Sequence, residues 1–476
     1  MTLLGTRLGG GIVGVPSSAK NMGYVTIQVI QVFLVFISMF SKWMLMQTRE
    51  ITGISSLPGL GMHLYGNWSI YLVNSLIALA QFGFPIIFFI VFGDAASSLI
   101  IRINSDAHSF WTSKAFTHII LAIVMLYLVL KKEIHQLRYA SVVLFFGIIL
   151  FVFLLFIHFL TSDPDPEPKE DITDTKVDIK FFASLPTVIA SYAFNSSYFT
   201  AFGTLKNKTK ANGLTAGFSA IIVAFLVYLV TPLLAFGLYG ANVESNLLIN
   251  IGEENDALAI ILEVMFLFIA IIHIPIIFFI GKEAVLIMFD EATRQSYSKH
   301  AIHKVGELNK EKKESAAVAP DQNQSEEVKH EGGGESSGHD MIVKEDKQQP
   351  EKPQKLEQSE KPQESEQPEI PQESEQPLQS ETTKEAPPAI PVVINPKEYL
   401  NMKPIYYYVI TIACYSLVVI LSIVIKEVTV LFGIIGSTAS CWVLIAAPGS
   451  FYILSIHKYN VKLTTCWMKI SYCLGC

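Results

Sequence analysis

Charge is in short supply in this sequence. Aspartate, glutamate, lysine and arginine make up 16% of its 476 residues, against roughly a quarter in soluble proteins. Many of these sit in one stretch from about Glu291 to Lys403, so the remainder is poorer still. Cysteine is rarer, and all five (Cys414, Cys441, Cys466, Cys473 and Cys476) lie in the last quarter. None falls in a segment expected outside a membrane, which argues against an extracellular disulfide framework. Cys473-Leu474-Gly475-Cys476 has Cys-x-x-Cys spacing but neither a redox-domain context nor further ligands, and chance explains it. There is no His-Glu-x-x-His, no Gly-x-Ser-x-Gly and no pair of intramembrane carboxylates, so an intramembrane enzyme has no support. No basic stripe suggests nucleic acid as a partner, no motif asks for a cofactor, and no cleavable signal peptide precedes the first apolar run.

What fills the sequence instead is hydrophobic. Apolar residues account for 51%, arranged as runs near the roughly 20 residues that cross a bilayer core. Spans are expected near 8–21, 24–46, 68–93, 116–131, 139–160, 181–204, 213–240, 257–288, 404–425 and 428–456. The fold class is therefore all-α and polytopic, embedded in a lipid bilayer. One set of loops carries Lys42 and Arg49, then Lys131, Lys132 and Arg138, then Lys206, Lys208 and Lys210, then Lys282, Arg294 and Lys299. The alternate set includes the acidic loops 162–180 and 241–256. Basic loops stay cytosolic, which puts the start of the chain inside and the acidic loops outside. Three domains follow: a core of eight spans over 1–290, a cytosolic loop over 291–403, and a core piece over 404–476. In the loop, Pro362 to Pro368 is repeated as Pro371 to Pro377. Such Pro, Gln, Glu and Lys composition buries too little surface to offset ordering entropy, so disorder is expected, with a cytosolic protein partner as one use of it. Lys462 to Met468 reads as the opening of a truncated eleventh helix, and the first span is short at its start.

The first span opens Gly9-Gly10-Gly11-Ile12-Val13-Gly14-Val15-Pro16. In a helix interior each Gly costs about 1 kcal/mol and Pro about 3 relative to Ala, so a broken helix is expected. Unwound backbone survives in lipid only where protein or a wet cavity satisfies it, and transporters place substrate at such breaks. The sixth span carries Tyr192-Ala193-Phe194-Asn195-Ser196-Ser197-Tyr198, with an Asn and two Ser at mid-membrane depth. Small polar residues there serve either as helix–helix glue or as ligand contacts. In the eighth span His273 lies two residues before Pro275, and Glu263 lies nearer the outer edge. Intramembrane ionisable residues are functional candidates by default, and imidazole titrates in a range that suits proton coupling. A neutral His bonded to a carbonyl freed by Pro275 explains His273 equally well, and a wetted vestibule charge explains Glu263.

Several segments together resemble the amino acid/auxin permease family, in the branch related to sodium-coupled neutral amino acid transporters. The first-span glycine run is similar to its Gly-x-Gly-Ile-Leu-Gly-Leu-Pro. Gln81-Phe82-Gly83-Phe84-Pro85 with Phe92-Gly93-Asp94 resembles its third span, and Leu205-Lys206-Asn207-Lys208-Thr209 the exit from its sixth. Val227 to Thr231, Gly237 to Gly240 and Val243 to Asn250 match most closely, and Leu431 to Ser437 with Pro448-Gly449 resembles its tenth span. The resemblance implies a five-plus-five inverted-repeat transporter fold with interrupted first and sixth helices and ten to eleven spans. It also implies a substrate site at Gly9, Gly10, Gly11, Phe194, Asn195, Ser196 and Ser197, with Tyr192 or Phe194 as a cap. The family's first-span Asn falls on Gly5 and its third-span Asn on Phe89, and the eighth span offers Ile271 and His273 where relatives offer Thr. These departures count against a sodium ion near Gly9 and the eighth span.

The expected function is secondary active transport of amino acids, with neutral ones favoured. Alternating access would be coupled to H⁺ through His273 or Glu263, or to Na⁺, at a plasma or a lysosomal or vacuolar membrane. The alternative is a nutrient receptor of the same fold that signals through the 291–403 loop.

Overall fold

Within hydrocarbon every backbone N–H and C=O must find a partner inside the protein, and the described residues meet this with helices alone. The computed structural model describes residues 8–103, 110–132, 137–162, 177–193, 195–254, 256–299 and 398–461. Chain order runs α1 Leu8–Met22, α2 Tyr24–Thr52, α3 Leu57–Tyr65, α4 Ser69–Ile103, α5 Lys114–Leu130 and α6 Leu137–Thr161. It continues with α7 Ile179–Tyr192, α8 Asn195–Gly203, α9 Lys210–Tyr239, α10 Leu247–Glu253, α11 Ala257–Arg294 and α12 Pro404–Val424. The last, α13, is Val428–Tyr459. Seven of these are long and apolar enough to cross a membrane, namely α2, α4, α6, α9, α11, α12 and α13, and α5 is a shorter apolar helix. The other two expected spans are α1, of 15 residues, and the pair α7 and α8.

The first span departs from its expected form. From Leu8 onward α1 is helical through all four glycines, with Pro16 inside it. No unwound segment interrupts the run. The glycines serve close packing: a Cβ on Gly11 would lie 2.5 Å from the Tyr228 hydroxyl, and one on Gly14 would lie 2.7 Å from the Phe432 ring. Contacts made along a buried helix offset the propensity cost that a sequence window counts in full. The sixth span is interrupted as expected, since α7 stops at Tyr192 and α8 starts at Asn195.

Both borders of the 291–403 stretch belong to the packed core. Helix α11 runs on to Arg294, and Tyr297 and Ser298 donate their backbone N–H groups to Glu291 Oε2 at 3.1 and 3.2 Å. Arg294 Nη2 donates to the Glu398 carbonyl at 3.0 Å, and Tyr399 Oη donates to Glu283 Oε1 at 3.3 Å. Residues 300–397, with the Pro-Gln-Glu repeat, lie outside the described residues, as do residues 462–476 of the expected eleventh helix.

Helix α13 contains two wide, π-type turns, Gly436–Ser440 and Trp442–Ala446. The first brings Gly436 so close to the Pro186 carbonyl of α7 that a Cβ there would overlap backbone, whereas Gly433 has open space around it. Gly436→Ala is expected to destabilise the purified protein by about 1–3 kcal/mol, the usual cost of overpacking, read as a lower thermal midpoint. Gly433→Ala should leave the midpoint in place.

A second expectation concerns acid. Helix α3 rests on the end of α13 through His63 Nε2, 2.7 Å from Tyr459 Oη, and through Lys458 Nζ, which donates to the His63 carbonyl at 2.5 Å. Burial, and then the charge of Lys458, lower the His63 pKa from 6.5 to about 4. The unfolded chain therefore binds this proton more readily. The contribution is complete above the unfolded value and is lost as pH falls from about 6.5 towards 4. Thermal midpoints across that window should drop in the parent protein, and His63→Gln should reduce the slope.

Candidate functional site

A helix that stops inside a membrane leaves carbonyls at one end and N–H groups at the other. Helix α7 ends where Ala193 turns to φ −80°, ψ 61°, and α8 resumes two residues later. Phe194, between them, lies outside the described residues. Helix α2 reaches across to this break. Ser38 Oγ donates to the Tyr192 carbonyl at 3.2 Å, and Lys42 Nζ donates to Ser38 Oγ and to Asn195 Oδ1, each at 3.0 Å. Asn195 Nδ2 in turn donates to Ser41 Oγ at 2.5 Å and to the Val443 carbonyl, in the second wide turn of α13, at 3.0 Å. Lys42 is 0% exposed, and its ammonium lies 5.9 Å from the centre of the Tyr198 ring.

This corrects the placement of Lys42 among the loop charges. It is a residue of α2 inside the core, and its partners come from α2 itself and from α8. An isolated Lys at a helix centre costs about 2.5–3.5 kcal/mol to place in a bilayer, so oxygen donors must be at hand. The signal for it was one cation inside an otherwise apolar window, Phe40-Ser41-Lys42-Trp43-Met44. Gln31 and Gln81 were missed for the same reason. Gln31 Nε2 donates to the Tyr228 carbonyl at 3.3 Å, while its Oε1 accepts from Tyr192 Oη at 3.0 Å. Gln81 Nε2 donates to Ser196 Oγ at 2.8 Å, joining α4 to α8. Ser197 is buried in the same short helix.

The glycine run lies against rings from the neighbouring helices. A Cβ on Gly9 would lie 2.8 Å from both His273 Nδ1 and the Phe88 ring, and one on Gly10 would lie 3.1 Å from Phe84. The Phe88 and His273 rings stack with centroids 4.4 Å apart. Gly9 and His273, 264 positions apart, are therefore neighbours. Aromatic packing fills the space beside Gly9, and Phe89, at the position where the resemblance places an Asn, lies against His118 and Tyr415. Glu263 does not join this group. Its Oε2 lies 3.5 Å from Arg102 Nη2, which also donates to the carbonyls of Ile251 and Gly252 at 3.0 and 2.7 Å. That assembly fastens α10 to α4 and α11.

Removing the neutral amide that accepts from a buried ammonium strands that charge without a partner oxygen. Asn195→Ala is expected to cost about 2–4 kcal/mol in unfolding free energy by this reasoning, and Lys42→Met combined with Asn195→Leu should recover part of that loss. A double-mutant cycle on thermal unfolding measures the coupling, and additive losses would mean that the two groups are energetically independent.

Comparison with known proteins agrees with this architecture. Residues 1–476 match the family described as transmembrane amino acid transporter protein. Amino acid transporter AVT6C of Arabidopsis thaliana is 22% identical over 52% of this chain and 60% of its own length. Sodium-coupled neutral amino acid transporter 7 of Mus musculus is 25% identical over 44% of this chain and 46% of its own length. Vacuolar amino acid transporter 5 of Schizosaccharomyces pombe is 22% identical over 52% and 59%, respectively. The similarity thus spans about half of these relatives, and their names denote transporters rather than enzymes. With its family profile matched from end to end, and with helices built to cross a bilayer several times over, this chain is a multi-pass membrane protein belonging to the transmembrane amino acid transporter family.

Proposed function

We propose that the chain carries neutral amino acids across a membrane by alternating access, coupled to protons. The observation that carries this reading is the break between α7 and α8, set in a buried polar network opposite the closely packed glycine face of α1. A zwitterion has two charged ends, and a broken helix offers a partner for each. The N–H groups at the start of α8 suit a carboxylate, and the carbonyls at the end of α7 suit an ammonium group. Asn195 and Ser196 line that start, and Ser197 and Phe194 complete the proposed contacts. Gly9, Gly10 and Gly11 keep the facing helix thin enough for one element to move against the other. In this reading the helices form two inverted repeats of five, with α1 and the α7–α8 pair in corresponding positions.

His273 is the proposed proton carrier, because it alone of the two ionisable candidates touches the glycine run. Glu263, paired with Arg102, is assigned to holding the α10–α11 corner. The printed names of the relatives include both vacuolar and sodium-coupled transporters, and for this chain the proton reading carries with it an acidic-organelle membrane.

The test is uptake into proteoliposomes by the full chain, with a panel of amino acids and separate H⁺ and Na⁺ gradients. Saturable uptake of neutral amino acids should rise with an inward proton gradient and be indifferent to Na⁺. His273→Ala should abolish the gradient response, and Ser196→Ala should raise KM more than it lowers kcat. Saturable ligand binding with no flux would replace transport by the receptor reading. A gradient response that survives His273→Ala would remove that residue from the coupling.

A further inference from the structure

We infer that His158, Glu254 and Asp256 form a binding site for a divalent transition-metal ion of the zinc class, on the face to which the sequence assigns the acidic loops. His158 lies near the end of α6 and is 0% exposed. Its Nε2 is 2.7 Å from Glu254 Oε2 and its Nδ1 is 3.3 Å from Asp256 Oδ2. Yet neither ring nitrogen makes an in-line hydrogen bond. A fully buried imidazole with a carboxylate oxygen beside each ring nitrogen, and neither in line for a hydrogen bond, presents one nitrogen lone pair and two anionic groups to a common centre. An ion on that lone-pair axis, with the carboxylates to its sides, replaces the ion pair by ligation.

The donor set fits such an ion. One ligand atom from each of the three residues lies within 4.8 Å of the others. Zinc holds imidazole nitrogen and carboxylate oxygen at about 2.0–2.2 Å, so its three ligand atoms must gather around one ring nitrogen; Glu254 already lies beside Nε2, and Asp256, now beside Nδ1, would turn towards it. Two carboxylates match a dication in charge, and an imidazole nitrogen favours Zn²⁺ and its neighbours over Mg²⁺ or Ca²⁺. Glu254 is half-buried and Asp256 exposed, which gives the ion a way in and leaves room for water as a further ligand.

The supports are rigid. Asp256 spends its other oxygen, Oδ1, on the Ala259 N–H at 2.8 Å, capping α11. Glu254 closes the C-terminal end of α10. Tyr239, at the end of α9, brings a buried hydroxyl that also lacks an in-line hydrogen bond, and Glu254 is among the charges acting on it. The ends of four helices meet here. A bound ion ties α6 to the α10–α11 corner and restrains that corner, whatever the core transports.

The experiment uses the full chain in lipid nanodiscs, stripped with EDTA and titrated calorimetrically with Zn²⁺, with Co²⁺ followed by its visible absorption bands. One Zn²⁺ per chain and a raised thermal midpoint are expected, with no response to Mg²⁺. His158→Ala and Glu254→Gln should each weaken Zn²⁺ binding by at least about tenfold. Glu254→Gln keeps the shape of the site and decides the matter if His158→Ala does not fold. Unchanged affinity in either folded variant overturns the inference. So does an absence of Zn²⁺ binding in the parent chain when acidification alone stabilises it and not Glu254→Gln, because the cluster is then a protonated ion pair.

Discussion

The contact between Lys42 and Asn195 is the one on which the interior depends. An ammonium group in the middle of a hydrocarbon-facing bundle, and a helix that stops short beside it, are each costly alone. Together they offset one another. Asn195 gives its oxygen to Lys42 and its nitrogen to α2 and α13, while Ser38 covers the carbonyl where α7 ends. The break is thereby fixed by α2 and α13, and the wide turns of α13 acquire a reason: Val443 turns a carbonyl towards an amide on another helix.

The glycine run plays the complementary part. Glycine in a helix is costly in isolation, and the expectation of unwinding followed from counting that cost locally. In the folded chain each missing side chain lets a ring lie against the α1 backbone: His273 and Phe88 at Gly9, Phe84 at Gly10, Tyr228 at Gly11 and Phe432 at Gly14. Rings from α4, α9, α11 and α13 all come to this one short helix. The same run that resembles a substrate-binding motif therefore acts as a packing hub as well, and it joins His273 to the first span.

Charge is placed by the same economy. Charged groups within the protein are used up in closing helix ends: Lys282 gives its ammonium to the carbonyls of Val129 and Lys131 at the end of α5, and Arg102 does the same for α10. The residues bordering 300–397 are secured to α11 by Arg294 and Tyr399, so both ends of that long segment start from fixed points.

Much of this could be read from the sequence. Hydrophobic length alone located the seven long apolar helices and the shorter α5, because the bilayer imposes one length on every crossing segment. The interruption of the sixth span was implied by the family resemblance, while Asn195, Ser196 and Ser197 by themselves said only that polar side chains at that depth need partners. Composition likewise set apart the stretch between α11 and α12, although its borders, residues 291–299 and 398–403, are held by contacts that composition does not register. What the sequence could not decide was which partner each group would have. Gly9 meets His273, Lys42 meets Asn195 and Gln81 meets Ser196 across 264, 153 and 115 positions. Whether the glycines unwind or pack, and whether Lys42 lies in a loop or in the core, depended on those distant groups. Local propensity weighs a residue against its chain neighbours, while in this fold the larger energies come from helices that meet only once the chain has folded.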